Sequence, residues 1–316
     1  MTVIAVTGAT GFVGRAVVVE LLSQGVAVRA LARKPEMLAE FENLSVVAGD
    51  ISSSDALIPF LSGVDGVVHC AGLVKALSNA EFQRVNAEGT QAVVTAATSA
   101  AVKRLVLVSS LAARRPEVSP YAASKRAGEQ RASESALNVS IVRPPAVYGP
   151  GDTATLPFFR QAERGFLALP VPRDQRFSVI YVTDLAKLLA ALVLEPNRRD
   201  AAPIECDDGR KGGYSWEEFA QAAGAAAGRR VRFLPVPGWL IGPVAVVAQA
   251  IAKLRRQAEI LSPGKLCEMA QPEWVSTPAS LDGLDWRPAV GLRDGLAQAR
   301  RWYKDQGLLK QRVEER

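Results

Sequence analysis

A doubly wound α/β fold on a parallel sheet is predicted by two observations. Over residues 1–150 short apolar runs alternate with amphipathic stretches of helical length, and a glycine-rich turn joins the first run to the first stretch. Strands are expected at Val3–Thr7, Ala27–Ala32, Leu44–Ala48, Gly66–Cys70, Arg104–Ser109 and Ser140–Arg143. Helices are expected between them, at Val13–Gln24, Asp55–Leu61, Asn86–Ala100 and Pro120–Ser135. Several of these strands are apolar throughout, as in a sheet covered by helices on both faces.

The texture changes after Tyr148-Gly149-Pro150-Gly151, where prolines punctuate shorter elements. Residues 151–316 therefore read as a smaller C-terminal substrate-binding lobe beside a nucleotide-binding domain at 1–150. Within the lobe, Phe177–Val182 followed by Thr183–Leu194 (about residues 175–195) is expected to return to the main sheet. Leu292–Asp305 predicts a terminal helix anchored by Trp302 and Tyr303.

A hydrophobic fraction of 48% and a charged fraction of 22% are ordinary for a globular chain of 316 residues. Cys70, Cys206 and Cys267 are odd in number and widely spaced, and His69 is the single histidine, so neither a disulfide framework nor a metal site is expected. Met1 leads directly into a strand with no basic segment or cleavage site, which predicts a cytoplasmic protein. The net charge of +6 reads as an arginine-rich surface; its basic residues form no aromatic-interleaved stripe, so nucleic acid is not expected as a partner. Leu234–Ala252 carries no charge, yet Pro235, Pro237 and Pro243 with Gly238 and Gly242 interrupt it before it can span a bilayer. A buried or pocket-lining helix is expected there, with shallow peripheral membrane contact as the lesser reading. The expected partner is a small-molecule substrate, and a homodimer stands as an alternative to the monomer.

Gly8-x-x-Gly11-x-x-Gly14 follows a strand and opens a helix. Glycines at that spacing let a phosphate approach backbone N–H groups at the helix N-terminus, where the dipole favours negative charge. The second strand ends in Leu31-Ala32-Arg33-Lys34, with no acid to accept from a ribose diol. Arg33 can instead pair with a 2′-phosphate, so NADP(H) is favoured and NAD(H) is the alternative. Asp50 follows the third strand, where a carboxylate can meet an adenine amino group or merely cap a turn.

Tyr121 and Lys125 stand four apart on a predicted helix and so share a face. A neighbouring ammonium favours phenolate and lowers a tyrosine pKa from its usual value of about 10. Ser109 and Ser110 lie at a strand end just upstream, where a hydroxyl can steady a substrate oxygen. His69 reads more naturally as a packed histidine than as a catalytic one.

Together Thr7-Gly8-Ala9-Thr10-Gly11-Phe12-Val13-Gly14, Ser110, Tyr121-x-x-x-Lys125 and Arg143-Pro144-Pro145-x-Val147-Tyr148-Gly149-Pro150-Gly151 resemble the short-chain dehydrogenase/reductase superfamily. The chain is most similar to its extended epimerase/dehydratase branch. The resemblance implies a Rossmann-type fold and an NAD(P)-dependent enzyme. It assigns cofactor phosphate contact to Gly8, Gly11, Phe12 and Val13, ribose recognition to Arg33, and adenine contact to Asp50 and Ile51. It places Ala71 and Gly72 beneath the cofactor, and Pro144 and Val147 at the nicotinamide. Tyr121 is implied as catalytic acid/base, Lys125 as its partner and a ribose ligand, and Ser110, in preference to Ser109, as the substrate-oxygen ligand.

Two departures steer the reading within the branch. Arg176-Phe177-Ser178-Val179-Ile180-Tyr181-Val182-Thr183-Asp184 lacks the first acid common in sugar-nucleotide epimerases, and Leu111-Ala112 replaces the acidic pair of the dehydratases. The apolar Trp239-Leu240-Ile241 looks more like the dihydroflavonol reductases and 3β-hydroxysteroid dehydrogenases. The expectation is an NADP(H)-dependent oxidoreductase interconverting a secondary alcohol and a ketone on a largely apolar molecule. An NAD-dependent nucleotide-sugar epimerase or dehydratase is the first alternative, and a non-catalytic NAD(P)-binding accessory protein the second.

Overall fold

Seven parallel strands form the central sheet of the computed structural model, which describes residues 2–237, 263–278 and 283–309. The strands are β1 (Val3–Thr7), β2 (Ala27–Ala32), β3 (Leu44–Ala48), β4 (Gly66–His69), β5 (Arg104–Val108), β6 (Val139–Arg143) and, from later in the chain, Ile204–Glu205. Their spatial order is β3-β2-β1-β4-β5-β6, with Ile204–Glu205 added beyond β6. The order reverses at β1, which opens a crevice at the carboxyl ends of β1 and β4.

Side chains alternate across this sheet, and in its central strands both faces are buried. Ile4, Val6, Val68, Val106, Val108 and Val142 face one core, while Ala5, Val67, Leu105, Leu107 and Ile141 face the other. The first core is closed by helix α1 (Phe12–Ser23) through Val17, Val18 and Leu21. The second is closed by Ser54–Leu61 and Gly89–Ser99 through residues such as Leu57, Phe60, Val93 and Ala97. Two-sided burial is why the central strands read as nearly continuous apolar runs.

The helix expected at Asn86–Ala100 begins earlier and is not uniform. Asn79–Phe82 is a turn of α-helix, Gln83–Glu88 is wound as a π-helix, and the α-helix resumes over Gly89–Ser99. A π turn inserts an extra residue into the helical ladder and re-aims the side chains within it. Here it delivers Asn86 to the crevice.

One expectation about the returning unit needs correcting. The strand Val179–Tyr181 does not join the main sheet; it pairs with Ala146–Tyr148 in a separate two-stranded sheet. Pro144 and Pro145 follow β6 directly, and without N–H groups they cannot extend its ladder, so the chain peels away carrying Ala146–Tyr148 with it. The helix that follows, Val182–Val193, does cover the sheet, burying Leu185, Leu188, Leu189 and Leu192 against the first core. Ile204–Glu205 supplies the additional strand at the sheet edge.

A third core, rich in aromatics, lies in the C-terminal lobe. Phe177, Trp216 and Phe219 pack on one another there, with the Phe177 and Trp216 ring centroids 4.3 Å apart. The terminal helix Leu292–Asp305 is anchored by the fully buried Tyr303, which stacks edgewise on Phe159 and meets the Thr155 hydroxyl at 2.9 Å. Trp239-Leu240-Ile241, and all of the charge-free segment past Pro237, lie outside the described residues.

Candidate active site

The crevice is lined first by the turn between β1 and α1. Gly8 adopts φ +66°, and a Cβ there would lie 2.7 Å from the Ala71 nitrogen. A Cβ on Gly14 would lie 2.1 Å from the Gly8 carbonyl oxygen. Gly11 caps α1 without a side-chain hydrogen bond and no acid stands in the first turn, so the N–H groups near Phe12 and Val13 face a surface free of competing carboxylates. This backbone cradle fits a dinucleotide pyrophosphate.

The next strand end is locked by a chain of hydrogen bonds. The Thr90 hydroxyl donates to the Asn86 carbonyl at 2.8 Å, so Thr90 Oγ1 must accept from His69 Nε2 at 3.1 Å. The neutral ring then accepts at Nδ1 from Thr7, 2.6 Å away, and Thr7 Oγ1 in turn accepts the Ala71 N–H at 3.2 Å. His69 is completely buried; burial, and secondarily the charge of Lys125, hold its pKa down to about 3. It is a structural relay that fixes Ala71 and Gly72 beneath the crevice. Asn86 adds to the hold, accepting from the Leu73 N–H at 2.7 Å and donating to the Leu73 carbonyl at 3.0 Å and to Ser124 at 2.9 Å.

Tyr121 and Lys125 come from helix α5, defined here as Pro120–Ser133, with Ser119 as its N-cap accepting from the Ala122 N–H at 3.0 Å. Tyr121 packs under Phe82, ring centroids 5.9 Å apart, and Ser110 lies close enough to the phenol to favour its ionised form. The rival Ser109 is engaged elsewhere, donating to Glu129 at 2.6 Å. Glu129 also takes a bidentate pair from Arg143 at 2.8 and 2.6 Å. This buried knot joins α5 to β6 and leaves Ser110 as the hydroxyl that faces Tyr121.

The electrostatics differ from the sequence expectation. The Lys125 ammonium donates to the Val108 carbonyl at 2.7 Å and does not draw the phenol down. Burial, joined by the charge of Glu268, raises Tyr121 to about 12 against the lowering effect of Ser110. Lys125 itself is drawn to about 8 by burial, with Glu129 opposing. The ammonium still borders the crevice, because a Cβ on Gly72 would sit 3.6 Å from it.

Arg33 and Asp50 lie at the other end, beyond β2 and β3, as an open pair 3.9 Å apart. The Asp50 carboxylate accepts from the Ser52 N–H at 2.9 Å and its hydroxyl at 2.7 Å. Partial burial would raise Asp50, but those bonds and the charges of Arg33 and Arg84 outweigh it and hold the carboxyl below its usual range. Asp50 thus caps a turn and also faces two guanidinium groups. Ile51 is buried in the second core, while Pro144 accepts from the Leu111 N–H at 2.9 Å, seating the loop after β6 against the turn that carries Ser110. Val147 packs partly buried beside the first core.

Residues 4–204 match the model of the NAD-dependent epimerase/dehydratase family. The chain belongs to that family. It is 36% identical over 314 residues to a ceramide reductase of Caulobacter vibrioides, covering 98% of this chain and 97% of the relative. It is 29% identical over 275 residues to a 3-beta-hydroxysteroid dehydrogenase of Mycolicibacterium neoaurum, covering 75% and 73% of the two chains. Its fold is that of the UDP-glucose 4-epimerase of Thermotoga maritima, with a TM-score of 0.73 at 19% identity over 96% of this chain and 99% of the other. Membership makes the chain an NAD(P)-dependent oxidoreductase or epimerase. Among the described residues no helix is long and apolar enough to cross a membrane, and no group of His, Cys, Asp and Glu could hold a metal ion.

Three residues of this site were not singled out from sequence. Glu129 had a readable signal, since Tyr121, Lys125 and Glu129 repeat at intervals of four on one helix face. Asn86 had none, because apolar spacing does not distinguish an α turn from a π turn. Glu268 lies 149 positions from its partner Ser119, beyond the reach of local pattern.

Proposed function

We propose that this chain reduces a ketone on a large apolar, ceramide-like lipid to a secondary alcohol, using NADPH. The observation that carries the substrate class is the identity to a ceramide reductase, which continues through the second lobe rather than stopping with the nucleotide-binding half. Sugar-nucleotide chemistry is disfavoured by Ser178, where the epimerases of the branch carry an acid in this segment.

The residues divide the work as follows. Gly8, Gly11, Phe12 and Val13 would hold the pyrophosphate, and Ala71, Gly72, Pro144, Val147 and Lys125 the nicotinamide end. Bound there, the dinucleotide supplies the hydride. Ser110, beside the phenol, would donate to the substrate carbonyl oxygen. Tyr121 then releases its proton to that oxygen. A phenol raised to about 12 carries its proton at neutral pH and so is in the form that can act as the acid.

The NADPH preference rests on Arg33. No acid ends β2, and among the described residues the exposed Arg33 guanidinium is held only by a 3.9 Å contact with Asp50. A 2′-phosphate brings roughly two negative charges to that position, and a hydrogen bond to a charged group contributes about 1.5–3 kcal/mol. The test is a panel of NADPH and NADH against a long-chain keto lipid in detergent micelles and against UDP-glucose. NADPH consumption with the lipid alone is expected. Turnover or tight binding of UDP-glucose, with no response to the lipid, would overturn the reading, and a preference for NADH would overturn the cofactor assignment.

A further inference from the structure

The segment 264–277 of the second lobe lies across both catalytic turns. On one side it meets the short turn Leu111–Arg114 that follows Ser110: Arg114 donates to the Val275 carbonyl at 3.1 Å, and Arg115 donates to Gln271 at 3.0 Å with its guanidinium 5.7 Å from the Trp274 ring centroid. On the other side it meets the start of α5. Gly264 is pressed so close that a Cβ would lie 3.1 Å from Pro120 Cδ and 3.3 Å from Ser119 Cβ. Glu268, on the helix Pro263–Met269, accepts from the Ser119 hydroxyl at 2.5 Å and from Lys265 at 2.8 Å. Its carboxylate is almost wholly buried, and its carbonyl accepts from Trp274 Nε1 at 2.7 Å.

We propose that Glu268 is a positioning residue for the reaction, holding Ser119, the cap of the helix that carries Tyr121, and so making placement of the catalytic phenol depend on the seating of the second lobe. The proposal deepens the reductase reading and rests on it for its kinetic arm. Three features support it. Ser119 uses both functions of its hydroxyl, accepting from Ala122 and donating to Glu268, so its rotamer is set from both sides. Tyr121 is the second residue after that cap, in the first turn of the helix, where cap geometry is transmitted most directly. Among the described residues, the groups that face the phenol are Glu268 from the lobe, Ser110 from the preceding turn and Lys125 from its own helix, whose ammonium donates to the Val108 carbonyl. The charge of Glu268 favours the protonated form of the phenol.

A purely structural carboxylate and a positioning one predict different behaviour. Glu268→Gln keeps an oxygen that can accept from Ser119 but removes the charge, whereas Glu268→Ala removes both. With NADPH and the long-chain keto lipid, Glu268→Ala is expected to lower kcat by roughly 10- to 100-fold, the scale of a misplaced reacting group, while NADPH affinity stays within about twofold. Glu268→Gln is expected to recover most of kcat but to move the alkaline limb of the kcat profile to lower pH, because a phenol relieved of a negative neighbour loses its proton more readily. A kcat for Glu268→Ala within about twofold of wild type, or an alkaline limb unmoved in Glu268→Gln, would overturn the proposal.

A substrate-free arm separates its failure from failure of the function. In protein labelled with [13C]tyrosine, the ring signal of Tyr121, assigned by its loss in Tyr121→Phe, is expected to shift or broaden in Glu268→Ala and in Ser119→Ala. It should return near its wild-type position in Glu268→Gln. If wild type turns over no keto lipid, the reductase reading fails while this signal still decides Glu268. An unchanged Tyr121 signal in both alanine variants overturns the positioning role. Should Glu268→Ala fail to fold, Ser119→Ala and the pH profile of Glu268→Gln carry the same decision.

Discussion

Acidification should loosen this protein through a single imidazole. The His69 ring is buried between Thr7 and Thr90 as the neutral Nε2–H tautomer, with its folded pKa held near 3 by burial and the charge of Lys125. The unfolded chain has an ordinary histidine with a pKa of about 6.5. Because the folded value is depressed, the unfolded chain binds the extra proton, and stability falls as pH drops below the unfolded value and goes on falling toward the folded one. Integrated from pH 7 to pH 5, that linkage removes about 2 kcal/mol, with a limiting slope of about 1.4 kcal/mol per pH unit. The perturbation that isolates it is His69→Gln, which cannot titrate. Urea unfolding of both proteins at pH 7 and pH 5 gives the double difference. Wild type is expected to lose about 2 kcal/mol more than the variant over that interval. Parallel losses would refute the reasoning, and would mean that protonated His69 is accommodated in the folded chain.

Other outcomes follow from the same geometry. Tyr121→Phe should cut turnover by at least about 100-fold, as loss of a general acid does, with dinucleotide binding measured by fluorescence titration nearly unchanged. Ser110→Ala should lower kcat without destabilising the fold, whereas Ser109→Ala should cost about 1–3 kcal/mol in urea melts by removing a donor from buried Glu129. Gly14→Ala should lose dinucleotide binding, and about 1–3 kcal/mol or more of stability, because its methyl would meet the Gly8 carbonyl. Arg33→Asp should reverse the order of NADPH and NADH affinities measured at fixed salt.

Local pattern made the sheet legible. Val3–Thr7, Ala27–Ala32 and Leu44–Ala48 form strands over the expected residues because each is a run of strand-forming residues that ends in a turn. The pairing of Val179–Tyr181 was not legible, since it depends on a backbone departure at Pro144–Pro145 that lies more than thirty residues earlier. Chemistry followed the same division. The Tyr121–Lys125 spacing is a helix property and was readable, but the ammonium's actual partner is the Val108 carbonyl at the end of a neighbouring strand. Burial, which raises the phenol, is likewise a product of the whole fold. The resemblance favoured Ser110 over Ser109, but the physical ground for it, Glu129 and Arg143 gathered beside Ser109, is a product of the fold.

The way the chain crosses between its two lobes has a consequence for dissecting it. Residues 1–150 contain six of the seven sheet strands, yet the face formed by Ile4, Val6, Val68 and Val106 is covered by Val182–Val193, and the sheet edge is completed by Ile204–Glu205. A fragment cut after the first lobe would leave an oily sheet face and an unpaired edge strand open to water, which invites aggregation. The lobes are therefore stitched rather than hinged as separable modules. Grafting the specificity of one relative onto another would succeed only if the seam were cut on both sides of this crossing, leaving Val179–Cys206 with the sheet that it roofs.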